Sequence, residues 1–597
     1  MIRPSFRLLL AAAVVFPVAC TRSARQGGPE RRPDAQPQAE PAPVDRATQV
    51  LRARLTPPRP PAAMATDAGS AEFWTDLRRL YESNGYRPVW TRDGEPRKDI
   101  AALRTAVAQV AADGLNPADY DLSAAAVLES ARPHNPFKGS SLTPEALADA
   151  DLRLSYTFLK LASHLERGRV PPGKVDEHWF GQQRQDDFVK VLKATLDSGR
   201  LAESLTALEP QHPQYAALKR VLASYREVAA QGGWGTLPAG LNLRLGHADP
   251  AVAVLRAHLI ATGDLTAAAA TSAPAAVAGP VFDKETQDAL KRFERRHGLA
   301  ADGRLNREVL AALDVPVEAR MRQVELNLER WRWLPETLGD RYVLVNIPTF
   351  QLTAVDHGQT ELQMRVVTGK HDSPTPIFSD DMTTVVFSPY WNVPPEIARN
   401  ETIPAVMRDP SYLERNNLEV VRGSHVLDPS SVDWSRPGNV SFRQRPGAHN
   451  ALGGVKFLFP NQFDVYLHDT PAEALFARVE RDYSHGCVRI EKPFEMAQWV
   501  LKGRPEWTPE RIKAAMDAGR EQQIALKQHI PVYIVYETVW VDDDGTVEFR
   551  DDVYGHDAKQ EQILPASPAP GIRVAAQPSR PAAEAAVPSA RQVADGQ

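Results

Sequence analysis

The hydrophobic period changes near residue 335, and that change constrains the fold more than any other feature of the sequence. Ahead of it, "ARMRQVELNLERWRWLP" sets Met321, Val324, Leu328 and Trp331 along one stripe at helical spacing, with Pro335 beyond the end. After it the apolar residues alternate. "RYVLVNI" (341–347), "LQMRVVTG" (362–369), "MTTVVFSPYWNVP" (382–394), "GGVKFLF" (453–459), "FDVYLH" (463–468) and "VYIVYETVWV" (532–541) all read as strands. "DDDG" before "TVEF" is a hairpin turn signal. A chain of 597 residues is too long for one core and suggests about three or four domains. The expectation is a multidomain α+β protein, helical in front, with a mostly β domain at 316–550.

The helical part divides in two. In 66–235, "EFWTDLRRLYESNGYRPVW" places Phe73, Leu77, Leu80 and Tyr81 on one face, and Leu152, Tyr156 and Leu159 share another, in a run ended by Gly168 and Pro171. This region contains no catalytic constellation, and His164 and Glu166 read as solvated helix residues. In 236–315, "DPAVAVLRAHLIATGDL" is a helix ending at Gly263, and two more helices flank an "HGLAADG" turn, with Leu290 and Phe293 on one face and Val309, Leu310 and Leu313 on another. "LTAAAATSAPAAVAG" (265–279) reads as a low-complexity insertion between them.

Residues 1–20 read as an export signal: Arg3 and Arg7, then the apolar "LLLAAAVVFPVAC", too short to span a membrane as a mature helix. The stretch ending at Cys20 resembles a bacterial lipoprotein signal, with Ala19 before the cysteine and Pro17 where Leu is usual; simple cleavage nearby is the alternative. Residues 21–65 and 556–597 are rich in Pro and Ala and read as a linker and a disordered tail. A Pro-rich tether of 45 residues reaches on the order of 100 Å. The net charge of −5 gives no electrostatic case for nucleic acid. No run of 18 apolar residues follows the N-terminus.

The chain has two cysteines, Cys20 and Cys487. After export, Cys487 would be a thiol in an oxidising compartment without an intramolecular partner, which points to chemistry. It sits in "DYSHGCVRIE". In "FDVYLH", alternation turns Asp464, Tyr466 and His468 away from the Phe463, Val465 and Leu467 row. In "TPAE", Thr470, Pro471 and Glu473 have the pattern of a helix N-cap, first helical residue and capping box. A strand end, one short helix and a loop would then bring Cys487 back to His468. A thiol attacks as thiolate, and His468, His485 and Arg489 are available to support that form. Gly486 allows close backbone approach, and amides of the turn can form an oxyanion hole. A buried, inert cysteine is one alternative; a zinc site from His468, His485 and Cys487 is another, without paired ligand spacing.

The segment from His468 through Ser484, His485, Gly486, Cys487 and Val488 resembles the catalytic signature of the L,D-transpeptidase family, the YkuD-type fold. The frequent Asn after the cysteine is replaced by Arg489 and Glu491. "LEPQHPQYAAL", "ERWRWLP", "SPYWNVP" and "PGAHNALGGVKFLFPN" resemble its large Gram-negative members, and "HGLAADG" with "LAALDV" is similar to a peptidoglycan-binding domain, with Glu294 where Gln is frequent. The resemblance implies a helical scaffold domain, a small helical peptidoglycan-binding domain and a mostly β catalytic domain carrying a lid insertion at about 395–445.

It further implies a cell-wall enzyme of the periplasm, involved in cell shape and open to carbapenems. Peptidoglycan stem tetrapeptides would serve as donor and acceptor, joined in 3→3 cross-links. Cys487 would be the nucleophile and His468 the base, oriented by the Asp469 carbonyl. His485, Gly486 and the Cys487 amide would stabilise the intermediate. Ser484 and Arg489 would shape the loop or hold a substrate carboxylate, and Asp469 is a weaker candidate for substrate contact. No metal or organic cofactor is required. The alternatives are an L,D-carboxypeptidase or wall-protein-detaching hydrolase on the same site, and a non-catalytic wall-binding scaffold.

Overall fold

The computed structural model describes residues 43–64, 69–92, 95–130, 142–179, 184–266 and 280–564. The signal segment, Cys20, most of the 265–279 insertion and the end of the tail lie outside the described residues.

Two segments expected to lack structure are helical. Pro43–Leu55 is a helix that buries Ala47, Leu51 and Leu55 in the core of the following domain. Proline supplies its first residue, where a missing N–H costs nothing, and the Leu51/Leu55 pair supplies the apolar face that overall composition concealed. His556–Ile563 is also helical and buries Gln560, whose Oε1 accepts from Arg330 Nε at 2.8 Å. The expected linker and tail are corrected over Pro43–Leu55 and His556–Ile563 alone; residues 21–42 and 565–597 lie outside the described residues.

The next domain packs around Pro144–Arg167, a helix of 24 residues buried on nearly every side. That is why His164 and Glu166 are not solvated as expected. His164 Nδ1 lies 3.0 Å from the Tyr120 hydroxyl, and Glu166 accepts from the Asp186 amide at 3.2 Å. Helices Ala251–Ala261, Lys284–Arg296 and Arg307–Leu313 enclose a separate core that includes Leu255, Leu290, Phe293, Val309 and Leu313. Glu294 is fully buried there, and its carboxylate accepts from the Gly303 amide at 2.8 Å, closing the "HGLAADG" turn.

Val317–Trp331 joins these parts to the β domain. Its Glu329 is 1% exposed and accepts from the Arg169 and Val170 amides and from Arg332. Arg332 in turn donates to Tyr215 and to the Asp113 carbonyl. Gly168, at φ +79°, is required at this crossing, because a Cβ there would lie 2.5 Å from Glu329 Oε1.

A separate antiparallel hairpin, Val539–Val541 with Val547–Phe549, forms at the expected "DDDG" turn, and the β domain is built on a nine-stranded sheet. Its order is Asp482–Ser484, Gln359–Gly369, Val488–Ile490, Leu467–His468, Val455–Leu458, Ser379–Phe387, Gln522–Val535, Arg341–Asn346, Gln351–Asp356. Gln351–Asp356 also pairs with Gln359–Gly369, so the sheet closes on itself. Its interior holds Val455, Phe457, Leu467, Val488 and Ile490, all fully buried.

Between Phe387 and Val455 the chain builds a small unit of its own. A four-stranded sheet (Trp391–Asn392, Ser441–Gln444, Leu418–Arg422, His425–Leu427) and short helices enclose Val393, Ala398, Val406, Leu413, Val420, Val432 and Phe442. Its first helix runs through a π turn at Ala398–Thr402.

Candidate active site

Three adjacent strands set the site. Leu467–His468 pairs antiparallel with Val455–Leu458 and parallel with Val488–Ile490, in registers that place Lys456 opposite His468 and His468 opposite Arg489. Leu467 and Val488 point into the core. Alternation therefore turns Tyr466, His468, Cys487 and Arg489 to the other face, with Tyr466 beside Cys487, an arrangement fixed by the Val488 amide donating to the Tyr466 carbonyl at 3.2 Å.

His468 is 5% exposed. Its Nδ1 lies 2.5 Å from the Asp469 carbonyl, and this contact fixes the tautomer that carries the proton on Nδ1 and leaves Nε2 as acceptor. Burial lowers its pKa to about 3, with the Arg489 and Lys456 charges adding to the effect, so the imidazole is neutral at neutral pH. Burial pushes the Cys487 thiol up; hydrogen bonds from Tyr466 and the Arg489 charge oppose this. The resting pair is thus a thiol and a neutral imidazole. Cys487 Sγ meets both the backbone and the side chain of Tyr466, and the Asp464 carbonyl at 3.8 Å.

The expected strand 463–468 shortens to Leu467–His468. Asp464 adopts φ +53°, and the Asn461 side chain brackets the loop: its Oδ1 accepts from the Phe463 and Val465 amides, and its Nδ2 donates to the Phe459 and Val465 carbonyls. The bend turns the Asp464 carbonyl toward the thiol. The capping box expected at 470–473 does not form either. The Thr470 hydroxyl accepts from the Ala472 amide at 3.2 Å, and the helix that follows is a 3-10 turn, Glu473–Ala477.

The loop 484–487 is braced from within and behind. Ser484 Oγ accepts from the Gly486 amide at 3.1 Å and donates to the Cys487 carbonyl at 2.5 Å. Gly486 sits at φ +111°, and its carbonyl accepts from Thr375 Oγ1 at 2.8 Å. Thr375 Oγ1 also accepts from the Gly369 amide, and Tyr554 donates to the Gly369 carbonyl at 2.5 Å. Gly486 therefore has no free amide for an oxyanion, which corrects its expected contribution. The Cys487 amide has no partner among the described residues.

His485 turns outward. Its Nε2 lies 3.1 Å from Glu401 Oε1 in the π turn of the inserted unit, so its imidazole is a bridge to the insertion and not a neighbour of the thiol. Asp469 is also corrected: its Oδ2 accepts from the Gly454 amide at 2.7 Å and its Oδ1 from the Thr470 amide at 2.6 Å, so the carboxylate brackets the strand end instead of facing substrate. Gly453, at φ +59°, makes room for it, since a Cβ there would fall 2.2 Å from Asp469 Cγ. Sequence reading placed Tyr466 on the face of His468 without giving it a role, and Lys456, Thr375 and Tyr554 carried no local signal. They become neighbours through strand register and chain return.

Comparison with known proteins finds three matching stretches of the chain. Residues 75–222 match a scaffold domain, 249–313 a "Putative peptidoglycan binding domain" and 340–508 an L,D-transpeptidase catalytic domain. A protein of Haemophilus influenzae described as "Putative L,D-transpeptidase" is 31% identical over 267 residues, 43% of this chain and 54% of the relative. The chain thus spans about half the length of that curated relative. Among solved structures, an L,D-transpeptidase from Stackebrandtia nassauensis is 15% identical, covering 49% of this chain and 94% of its own, at a TM-score of 0.19. L,D-transpeptidase 3 from Mycobacterium tuberculosis is 13% identical, covering 33% and 61%, at a TM-score of 0.17.

Proposed function

We propose, from the premise that residues 340–508 are an L,D-transpeptidase catalytic domain, that this chain cross-links peptidoglycan through an acyl-enzyme on Cys487. The observation that carries the reading is the two-by-two patch of Tyr466 and His468 against Cys487 and Arg489, with Nδ1 of His468 held by a backbone carbonyl. That bond leaves Nε2 able to take a proton from a thiol that burial keeps protonated. Sγ attacks the carbonyl between the third and fourth residues of a stem tetrapeptide as its proton passes to Nε2. The C–N bond breaks, the proton goes to the leaving amine and D-alanine departs. The amine of a second stem then gives up its proton to Nε2 while attacking the thioester, and the thiol is restored. The Cys487 amide, without a partner among the described residues, can receive the oxyanion.

Export to the periplasm belongs to the same proposal, with Cys20 as the attachment point if it is lipidated. Palmitate label incorporated by the wild type and lost in Cys20→Ser supports attachment; an unlabelled protein in the soluble periplasm contradicts it. Tetrapeptide-rich sacculi test the reaction. Incubation with purified protein is expected to yield 3→3 dimers that disappear in Cys487→Ala. Tripeptide monomers without dimers would assign a hydrolase, and unchanged muropeptides would overturn the enzymatic reading. Carbapenems are expected to acylate the same thiol one-to-one, because they present a strained amide carbonyl to it.

A further inference from the structure

The loops that hold Cys487 are backed by residues from outside the β domain. Beyond the helix Pro144–Arg167 the chain crosses over, and Val175 and Trp179 are buried in the core of the β domain, not in that of the helices. Asp176 closes a tight turn between them: its Oδ1 accepts from the His178 amide at 2.7 Å and its carbonyl from the Trp179 amide at 3.0 Å. The Trp179 backbone forms a parallel bridge to Ile377, two residues from Thr375, whose hydroxyl holds the Gly486 carbonyl and the Gly369 amide. The Trp179 ring lies 6.4 Å from that of Tyr536 and 5.5 Å from that of His556. Tyr536 Oη accepts from the Tyr554 amide at 2.8 Å, and Tyr554 Oη accepts from the Thr375 amide at 3.2 Å. Both routes from Trp179 end on the segment 369–375 behind Gly486. His178 takes the other side. Its ring stands edge-on to Phe463, which also packs on Phe378 at 5.2 Å and immediately precedes the Asp464 carbonyl that meets the thiol.

We propose that the turn Asp176–Trp179 positions Cys487 for acyl transfer, Trp179 by holding the segment that braces Gly486 and His178 by holding the loop that aims the Asp464 carbonyl. This rests on the acyl-transfer reading above. The turn lies within residues 75–222, so a residue pair of the scaffold match completes a site whose reacting groups all lie in the β domain. A nucleophile loses rate when the loop that carries it is free to wander, because attack needs one alignment of Sγ, base and carbonyl. His178 is exposed and fills no core, so its contact with Phe463 can be removed without opening a cavity.

Full-length His178→Ala, Trp179→Leu and Trp179→Phe separate positioning from folding, each assayed well below its melting temperature. Thioester formation from saturating stem tetrapeptide, followed by mass spectrometry, should slow about tenfold in His178→Ala and Trp179→Leu, with the half-saturating peptide concentration little changed. It should stay near the wild-type rate in Trp179→Phe, which keeps a ring against Tyr536 and His556. Alkylation of Cys487 by iodoacetamide should move the opposite way and become faster, because a freed Asp464 loop uncovers the thiol and relieves its burial. A merely structural role would lower the melting temperature and leave both rates of the folded protein unchanged. Wild-type rates in His178→Ala, or equal slowing of both reactions, overturn the proposal whatever Trp179→Leu does. Failure of the acyl-transfer reading has a different signature: wild-type protein forms no thioester, while alkylation still distinguishes His178→Ala from it.

Discussion

Cys487 is a protonated thiol beside a neutral His468, because both groups are desolvated and burial disfavours the charged form of each. This predicts how the thiol reacts. Alkylation by iodoacetamide should keep accelerating with pH up to and beyond the ordinary thiol value of 9.0. A rate plateau already reached near pH 7 would instead indicate a preformed thiolate–imidazolium pair. Tyr466 lowers the thiol pKa through its backbone and, in addition, through its side chain, and only the second is removed by substitution. Tyr466→Phe should slow alkylation at fixed pH by roughly tenfold, the effect of losing one hydrogen bond to a charged group. An unchanged rate would remove Tyr466 from the site.

Elements explain what the sequence made legible and what it hid. The strands and the linking helix followed from hydrophobic period, since Val324, Leu328 and Trp331 are buried as their spacing predicts. The stretch 463–466 looked like strand because it alternates, but the Asn461 side chain competes for the backbone and wins, and alternation carries no trace of that bond. Cys487 and His468 were legible from local motif. Lys456 was not, since it reaches the site only through register. Glu294 is a local departure that makes its own prediction. Burial raises its carboxyl pKa to about 7 from 4.5, so its contribution is whole below about 4.5 and is lost as pH rises through about 7. Glu294→Gln should flatten the pH dependence of thermal stability between pH 5 and 8 and stabilise the protein at pH 8 by on the order of 1 kcal/mol. Unchanged pH dependence of the melting temperature would count against the buried carboxyl.

At the scale of the whole molecule, the helix Val317–Trp331 ties the scaffold to the catalytic sheet through buried charge. Removing Glu329 leaves Arg332, which is 1% exposed, without its carboxylate. Glu329→Ala should destabilise the protein by about 3–5 kcal/mol, with Glu329→Gln milder because an amide oxygen can still accept from Arg169 and Val170. Equal melting temperatures for Glu329→Ala and wild type would contradict the buried clamp. Across the same junction His178 packs against Phe463, 5.9 Å between ring centres, one residue from the Asp464 carbonyl that contacts the thiol.

The proposed acyl transfer makes Cys487 the carrier of the acyl group. Intact-protein mass spectrometry of the full chain, quenched in acid during turnover of a stem tetrapeptide, tests it most directly. An adduct with the mass of the stem less D-alanine, sited on Cys487 and lost in Cys487→Ala, is expected. An adduct elsewhere, or cross-linked product still formed by Cys487→Ala, would contradict it.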